Sequence, residues 1–321
     1  MGAAAPTGDH AGGKRPLVSV VITCFEQEAY AREALASVLA QTFSDWEAIL
    51  VDDASRDADI RRVAREADDA RCRVITHERN RGLGASRNTG FAAARGDLIV
   101  PLDGDDRLAP SFLEATTAAV CGDPGVDCAY TDYQLFGSST AVWRFKSGSP
   151  GDMLSRQWIP GAGALMRKEV WRRVGGYQDL WGNEDWDFWI GAVRMGIKAI
   201  RIPEPLYQYR RTPRSMSATW TAYHEHESRE AIFRRHRSFF DRHAAGGKFR
   251  AQGYLRGSRA ALARRERPRA IRLAIRGMRL NPASPAMIRT LLLALLPDPV
   301  PQLLRPVAHP GSRGVRCDSS T

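Results

Sequence analysis

Asp97-Leu98-Ile99-Val100-Pro101-Leu102-Asp103-Gly104-Asp105-Asp106 runs from an apolar stretch directly into three carboxylates. The apolar part reads as a strand covered on both faces. Three carboxylates where such a strand ends concentrate negative charge, which a divalent cation and a polyphosphate would relieve. Asp103 and Asp105 leave the strand as alternate residues and can converge on one ion. Gly104 between them lets a ribose or diphosphate approach the backbone closely. Asp106 reads as a helix cap before Pro110-Ser111-Phe112.

Two further acidic pairs lie outward from this stretch. Upstream, Val51-Asp52-Asp53-Ala54-Ser55 ends another strand. A carboxylate there can accept from a nucleobase imide or a ribose hydroxyl, or it can simply shape the turn. Downstream, Asn183-Glu184-Asp185-Trp186 follows Gly175-Gly176-Tyr177, with Trp181, Trp186 and Trp189 around it. A carboxylate on an aromatic wall suits a general base for a sugar hydroxyl, and tryptophan offers a stacking face. The same tryptophans also fit the core of a helix whose first turn is acidic for dipole reasons. Of this pair Asp185 is the preferred base and Glu184 the second candidate.

The surrounding pattern alternates strand and helix. Strands are expected at Val18–Thr23, Trp46–Val51, Arg71–Thr76 and Asp97–Leu102, with helices at Ala29–Gln41 and Gly84–Arg95. That order implies an α/β fold with a parallel sheet covered by helices. In such sheets ligands bind beyond the carboxyl ends of the strands, where Thr23, Asp52 and Asp103 fall. Arg79 to Asn88 enters its helix through Gly82 and Gly84, and Arg87 there suits either a phosphate contact or an ion pair bracing the acidic cluster. Val126–Tyr130 and Ala199–Ile202 read as later strands and Lys168–Arg173 as a short helix. Trp158–Gly163 reads as a loop open to close approach, and Tyr209–Ser217 as a basic loop able to fold over a diphosphate.

Composition bounds the rest. The 321 residues are 43% hydrophobic, enough for one large α/β domain and an appendage. The net charge of +11 comes almost wholly from arginine, a skew that base composition can produce, so no nucleic-acid partner is inferred. Five cysteines without paired spacing fit a reducing compartment and small buried side chains. No stretch approaches the roughly 20 apolar residues of a membrane span, and residues 1–15 lack the pattern of a secretory signal. A cytoplasmic protein is expected, with the inner membrane face as a peripheral site. The expected division is a disordered leader at 1–15, the α/β domain at 16–218, a helical basic annex at 219–307 and a flexible tail at 308–321. In the annex, Ile271, Ala274, Ile275 and Met278 share one face of an Ala270–Arg279 helix, and Ser284-Pro285 starts the next. His224 and His226 read as surface residues of a helix.

Taken in order, Val18–Phe25, Gln41-Thr42-Phe43 with Trp46-Glu47, Val51–Ser55, Asn80 to Asn88, Leu102–Asp106 and Gly175–Tyr177 with Glu184-Asp185 resemble the family-2 glycosyltransferases. The resemblance spans roughly Pro16 to Ser217. It implies a GT-A fold and inverting transfer from a nucleotide-diphosphate sugar, with Mg²⁺ or Mn²⁺, to a glycan or lipid-linked acceptor. By position, Thr23 and Phe25 would line the base pocket and Asp52 or Asp53 would contact base or ribose. Asp103 and Asp105 would hold ribose and metal-diphosphate, with Gly104 and Arg87 on the donor side, and Asp185 would deprotonate the acceptor. Where the family often has Tyr-Asn this chain has Phe25-Glu26, which keeps a stacking surface and adds a negative charge near the donor. The competing readings are a nucleotidyltransferase, which would release pyrophosphate, and a nucleotide-sugar-binding protein without turnover.

Overall fold

The structure is a computed structural model that describes residues 16–180, 182–212 and 221–296. The leader at 1–15, Trp181, the Pro213–Ser217 part of the basic loop, residues 219–220 and 297–307 of the annex and the tail at 308–321 lie outside the described residues.

Four parallel strands form the nucleotide-binding type of half-sheet: β1 (Val18–Cys24), β2 (Trp46–Asp52), β3 (Cys72–Thr76) and β4 (Leu98–Asp103). Between them run α1 (Glu28–Leu39), α2 (Ile60–Ala67) and α3 (Leu83–Ala93). Every residue of β1 and β2 is buried, as their lack of polar alternation demands. The chain then adds β5 (Arg107–Leu108), α4 (Phe112–Cys121), β6 (Cys128–Gly137), β7 (Val142–Trp143), a 3-10 turn at Pro150–Leu154, β8 (Ala164–Arg167), α5 (Lys168–Val174), α6 (Glu184–Arg194) and β9 (Ala199–Arg211). The sheet order is β3-β2-β1-β4-β8-β6-β9-β5, with β7 paired to β6. Strand β8 is antiparallel to β4 and β6, whereas β6 and β9 are parallel.

The order places β2 on one side of β1 and β4 on the other, so a topological switch point lies between β1 and β4. In parallel register Thr23 stands opposite Asp103, and Cys24 opposite Asp52. Three stations far apart in sequence therefore reach one edge of the sheet, the edge at which such sheets bind ligands.

Beyond β9 lie α7 (Thr221–Arg235), α8 (Arg237–Arg242), α9 (Gly246–Ala263), α10 (Arg267–Leu280) and α11 (Pro285–Leu295). Ser284 caps α11 by accepting from Met287 N–H, and Pro285 takes the first turn. The first of these helices do not pack apart from the sheet: Ile232, Phe239, Phe240 and Phe249 belong to the main core. Smaller apolar clusters, one around Tyr223, Leu262 and Leu293 and another around Tyr254, Leu273 and Met287, join α9, α10 and α11.

Several local expectations change. Tyr209–Arg211 continue β9 rather than open a loop. His226 is buried beside the Tyr254 ring, not on the surface. On α10 the buried residues are Ala270, Leu273, Ala274 and Gly277, which turns Ile275 outward beside the arginines.

Candidate active site

The end of β4 is the centre of the site. Gly104 N–H donates to the Thr23 carbonyl at 2.9 Å, and a Cβ at Gly104 would stand 2.5 Å from that oxygen. Only glycine fits this contact, which locks the acidic turn onto the end of β1. The guanidinium of Arg87, carried by α3 and 2% exposed, donates to Asp103 Oδ1 at 2.8 Å. Its Nη1 lies 3.7 Å from Glu184 Oε1 at the start of α6. One buried arginine thus joins the acidic turn to the downstream acidic pair. Its Nε and Nη1 find no hydrogen-bond partner among the described residues, leaving donor capacity at the seam between the two stations.

The three carboxylates of the turn are not equivalent. Asp103 keeps part of its side chain exposed. Burial and the Asp103 charge push the Asp105 carboxyl up to about 6. Asp106 is fully committed to the fold and is not the cap of α4, whose N-cap position is held by Ser111. Its Oδ2 accepts from the Tyr207 hydroxyl at 2.7 Å and its Oδ1 from Arg210 N–H at 2.7 Å, so it fastens β9 under the site. Burial and its two acidic neighbours hold it well above the ordinary carboxylate range. Arg210, expected over a diphosphate, is also spent inside the protein. It donates to the Asp105 carbonyl and to Glu33, both at 2.6 Å, with its guanidinium between the rings of Tyr30 and Phe136.

At the end of β2, Asp52 Oδ1 accepts from Ser55 N–H at 3.0 Å. Asp53 has both oxygens engaged: Oδ1 with His77 Nδ1 at 2.7 Å and Arg81 N–H at 2.8 Å, Oδ2 with Gly82 N–H at 2.8 Å. It shapes the entry to α3 through residues nearly thirty positions away. Glu26 likewise has both oxygens on main-chain N–H groups, of Arg56 at 2.7 Å and Asp57 at 3.0 Å, which lower its pKa. The charge of this departure from the family pattern is therefore tied into the neighbouring turn. Phe25 beside it is 46% exposed, a free aromatic face next to Thr23.

Downstream, α6 begins with Glu184 and Asp185. Burial, then the Asp185 charge, pushes the Glu184 carboxyl up to about 7 against the pull of Arg87. Asp185 is half-buried. Its Oδ2 accepts from Gln157 Nε2 at 3.0 Å and its Oδ1 from Trp186 N–H at 2.7 Å. A Cβ at Gly161 would come within 2.0 Å of Asp185 Oδ2, so the loop before β8 lies directly against this carboxylate. Trp186 and Trp189 do not form an open stacking wall. Both are buried, donating to the carbonyls of Met153 at 2.6 Å and Pro160 at 3.0 Å. They fix α6 against the loop that carries Gln157. Neither Gln157 nor the anchoring of β9 by Asp106 had a sequence signal, since each depends on a partner far along the chain.

Asn88 ties α3 to the turn before α6. Its Nδ2 donates to the Tyr177 carbonyl at 2.8 Å, while its Oδ1 accepts from Tyr177 N–H and Trp171 Nε1, both at 2.9 Å. The Arg87-Asn88 pair thus does two jobs on adjacent residues, one ionic and one positional.

The family model described as "Glycosyl transferase family 2" matches residues 19–177, from β1 through the Gly175–Tyr177 turn. This chain belongs to glycosyl transferase family 2. Among curated relatives it is 33% identical over 204 residues to the O-antigen biosynthesis protein RfbC of Myxococcus xanthus, covering 61% of this chain and 16% of that protein. It is 30% identical over 129 residues to the UDP-Glc:alpha-D-GlcNAc-diphosphoundecaprenol beta-1,3-glucosyltransferase WfgD of Escherichia coli, covering 40% of this chain and 50% of WfgD. The chain therefore spans no more than half the length of either. Among solved structures, S. aureus TarS 1-349 in complex with UDP-GlcNAc superposes with a TM-score of 0.66 at 18% identity, over 82% of this chain and 81% of that one. The mannosyltransferase PcManGT from Pyrobaculum calidifontis in complex with GDP-Man and Mn2+ gives 0.56 at 21% identity, over 88% and 86%. These likenesses establish the GT-A-type fold of the family-2 enzymes.

Proposed function

We propose that this protein transfers a sugar from a nucleotide-diphosphate sugar to a hydroxyl of a glycan or lipid-linked acceptor, with inversion, using Asp185 as the general base. The observation that carries the reading is Arg87, which binds Asp103 and lies beside Glu184, so that the acidic turn and the start of α6 meet at one buried guanidinium. The complexes of TarS with UDP-GlcNAc and of PcManGT with GDP-Man support a nucleotide sugar as donor, and WfgD supports a lipid-linked acceptor.

The residues fit a divalent cation. Among the described residues no three His, Cys, Asp or Glu side chains cluster to hold an ion alone. Asp103 and Asp105 offer hard oxygen ligands, and the crowding that raises the Asp105 pKa is the kind a dication relieves. Two carboxylates with substrate phosphates complete the usual set for Mg²⁺ or Mn²⁺. Bound there, the ion would neutralise charge on the departing nucleoside diphosphate. Thr23, the exposed ring of Phe25 and Asp52 are left for the nucleoside, whereas Asp53 and Glu26 support that pocket by holding its loops. Asp185, oriented by Gln157 and Trp186 N–H, takes the acceptor proton. Its position beside the buried Glu184–Arg87 pair is what suits it to that role.

A thermal-shift screen of nucleotide sugars with and without Mn²⁺ identifies the donor, and the product of its turnover separates the readings. A nucleoside diphosphate is expected, whereas pyrophosphate would indicate nucleotidyl transfer. Asp185→Asn should keep donor binding and lower turnover by about 10²–10⁴. Near-parental transfer by that variant would remove Asp185 from the base role.

A further inference from the structure

We infer that the outer faces of α10 and α11 form a docking surface for a membrane carrying anionic lipid. Among the described residues, the large apolar side chains left exposed are Phe25, Ile275, Ile288, Leu292, Leu295 and Leu296. All but Phe25, which belongs to the nucleoside side of the cleft, lie on or at the end of these two helices. Ile288, Leu292, Leu295 and Leu296 recur at the spacing of one helical face. Leu292 is 58% and Leu295 60% exposed, whereas Met287, Thr290, Leu293 and Ala294 on the other face are buried. Packing α11 into the annex therefore satisfies one side of the helix and leaves a row of leucines outward.

Charge selects the occupant. Residues 267–296 contain six arginines and no aspartate, glutamate or lysine. Arg272, Arg276 and Arg279 are exposed beside Ile275 on α10, and Arg289 is exposed beside Ile288 on α11. An apolar row edged by cations suits a helix lying in the headgroup region of an anionic bilayer, leucines toward the acyl boundary and guanidinium groups toward phosphates. Arginine stems can cover apolar surface while their heads remain in the wet layer. No helix of the described residues is long and apolar enough to cross the bilayer, so the contact would be lateral. The inference stands on this face alone and not on the catalytic reading. If both hold, the face brings the cleft to a lipid-linked acceptor.

The test is sedimentation of the full chain with vesicles of phosphatidylcholine alone or mixed with phosphatidylglycerol, over increasing salt. Binding to the mixed vesicles only, falling steeply with salt, is expected. Leu292→Glu combined with Leu295→Glu should abolish it. Arg276→Glu combined with Arg279→Glu should weaken it by about tenfold or more. Unchanged melting temperatures and donor-induced thermal shifts in both variants would show that the fold and the donor site are intact. Failure of the parent chain to sediment with either vesicle, or binding that survives both variants, overturns the inference. So does light scattering that shows a dimer which the leucine variant dissociates in the absence of any vesicle binding, because the face would then belong to a second copy.

Discussion

Glu184 is a carboxylic acid held away from water beside Asp185 and opposed by one buried arginine. Burial and the neighbouring charge outweigh Arg87, and the pKa rises from 4.5 to about 7. Between those values the folded chain keeps a proton that the unfolded chain has released. Stability therefore falls as pH rises through that window. Glu184→Gln has no proton to lose, so its stability relative to the parent should increase from about pH 5 to about pH 8, by on the order of 1–3 kcal/mol. Denaturant titrations of both proteins at the two pH values measure this; a difference that stays flat would show that the native acid is already ionised at the lower pH. Other carboxylates at the site are tied into the fold. Asp53, Glu26 and Asp106 each have both oxygens engaged in hydrogen bonds, which makes them parts of the scaffold.

Between elements, the alignment of α3 with α6 depends on Asn88, whose amide makes three hydrogen bonds to Tyr177 and Trp171. Asn88→Ala leaves a main-chain N–H, a carbonyl and an indole N–H without their partner, and should destabilise the fold by about 2–4 kcal/mol. Because Gly84 of α3 also packs against Tyr177 and Glu184, turnover should fall in the same variant even where it remains folded. A loss of stability below about 0.5 kcal/mol would show that water replaces the amide. The parallel strands β1 to β4 were legible as short, mostly apolar runs, of which β2 and β4 end at Asp52 and Asp103, and register alone then brought Thr23, Asp52 and Asp103 together. The later elements were not. Strand β8 is four residues long and passes straight into α5, with no turn to mark it. Strand β9 carries Pro203-Glu204-Pro205, which reads as a loop, yet it continues to Arg211 because the register with β6 shifts there. For the site, the acidic stations could be read from sequence. Which of their carboxylates were already occupied could not, since Asp53 and Asp106 are held by partners about thirty to a hundred residues away.

At the scale of the whole molecule, the annex helices carry part of the active-site helix's support. Asp187, wholly buried one turn into α6, has His236 Nε2 2.8 Å from its Oδ1 and Arg235 Nε 3.5 Å from its Oδ2. Asn183, which precedes α6, donates to Ser228 at 2.9 Å, and the Trp186 ring meets Phe249 edge-on. A chain ending after Ala218 would strip these partners from α6 and withdraw Ile232, Phe239, Phe240 and Phe249 from the main core. Each such side chain contributes about 1.5–3 kcal/mol by burial, and a buried Asp187 without Arg235 and His236 adds a further penalty of about 3–5 kcal/mol. Their sum is comparable with the about 5–15 kcal/mol that holds a typical domain together. The truncated chain should therefore fail to unfold cooperatively and should aggregate, whereas the intact chain melts with α6 and the annex in one transition. Calorimetry of both chains decides it. A truncated protein that is soluble and melts cooperatively near the parental temperature would make the annex a separate unit, and α6 would then owe its position to the sheet and the Gln157 loop alone.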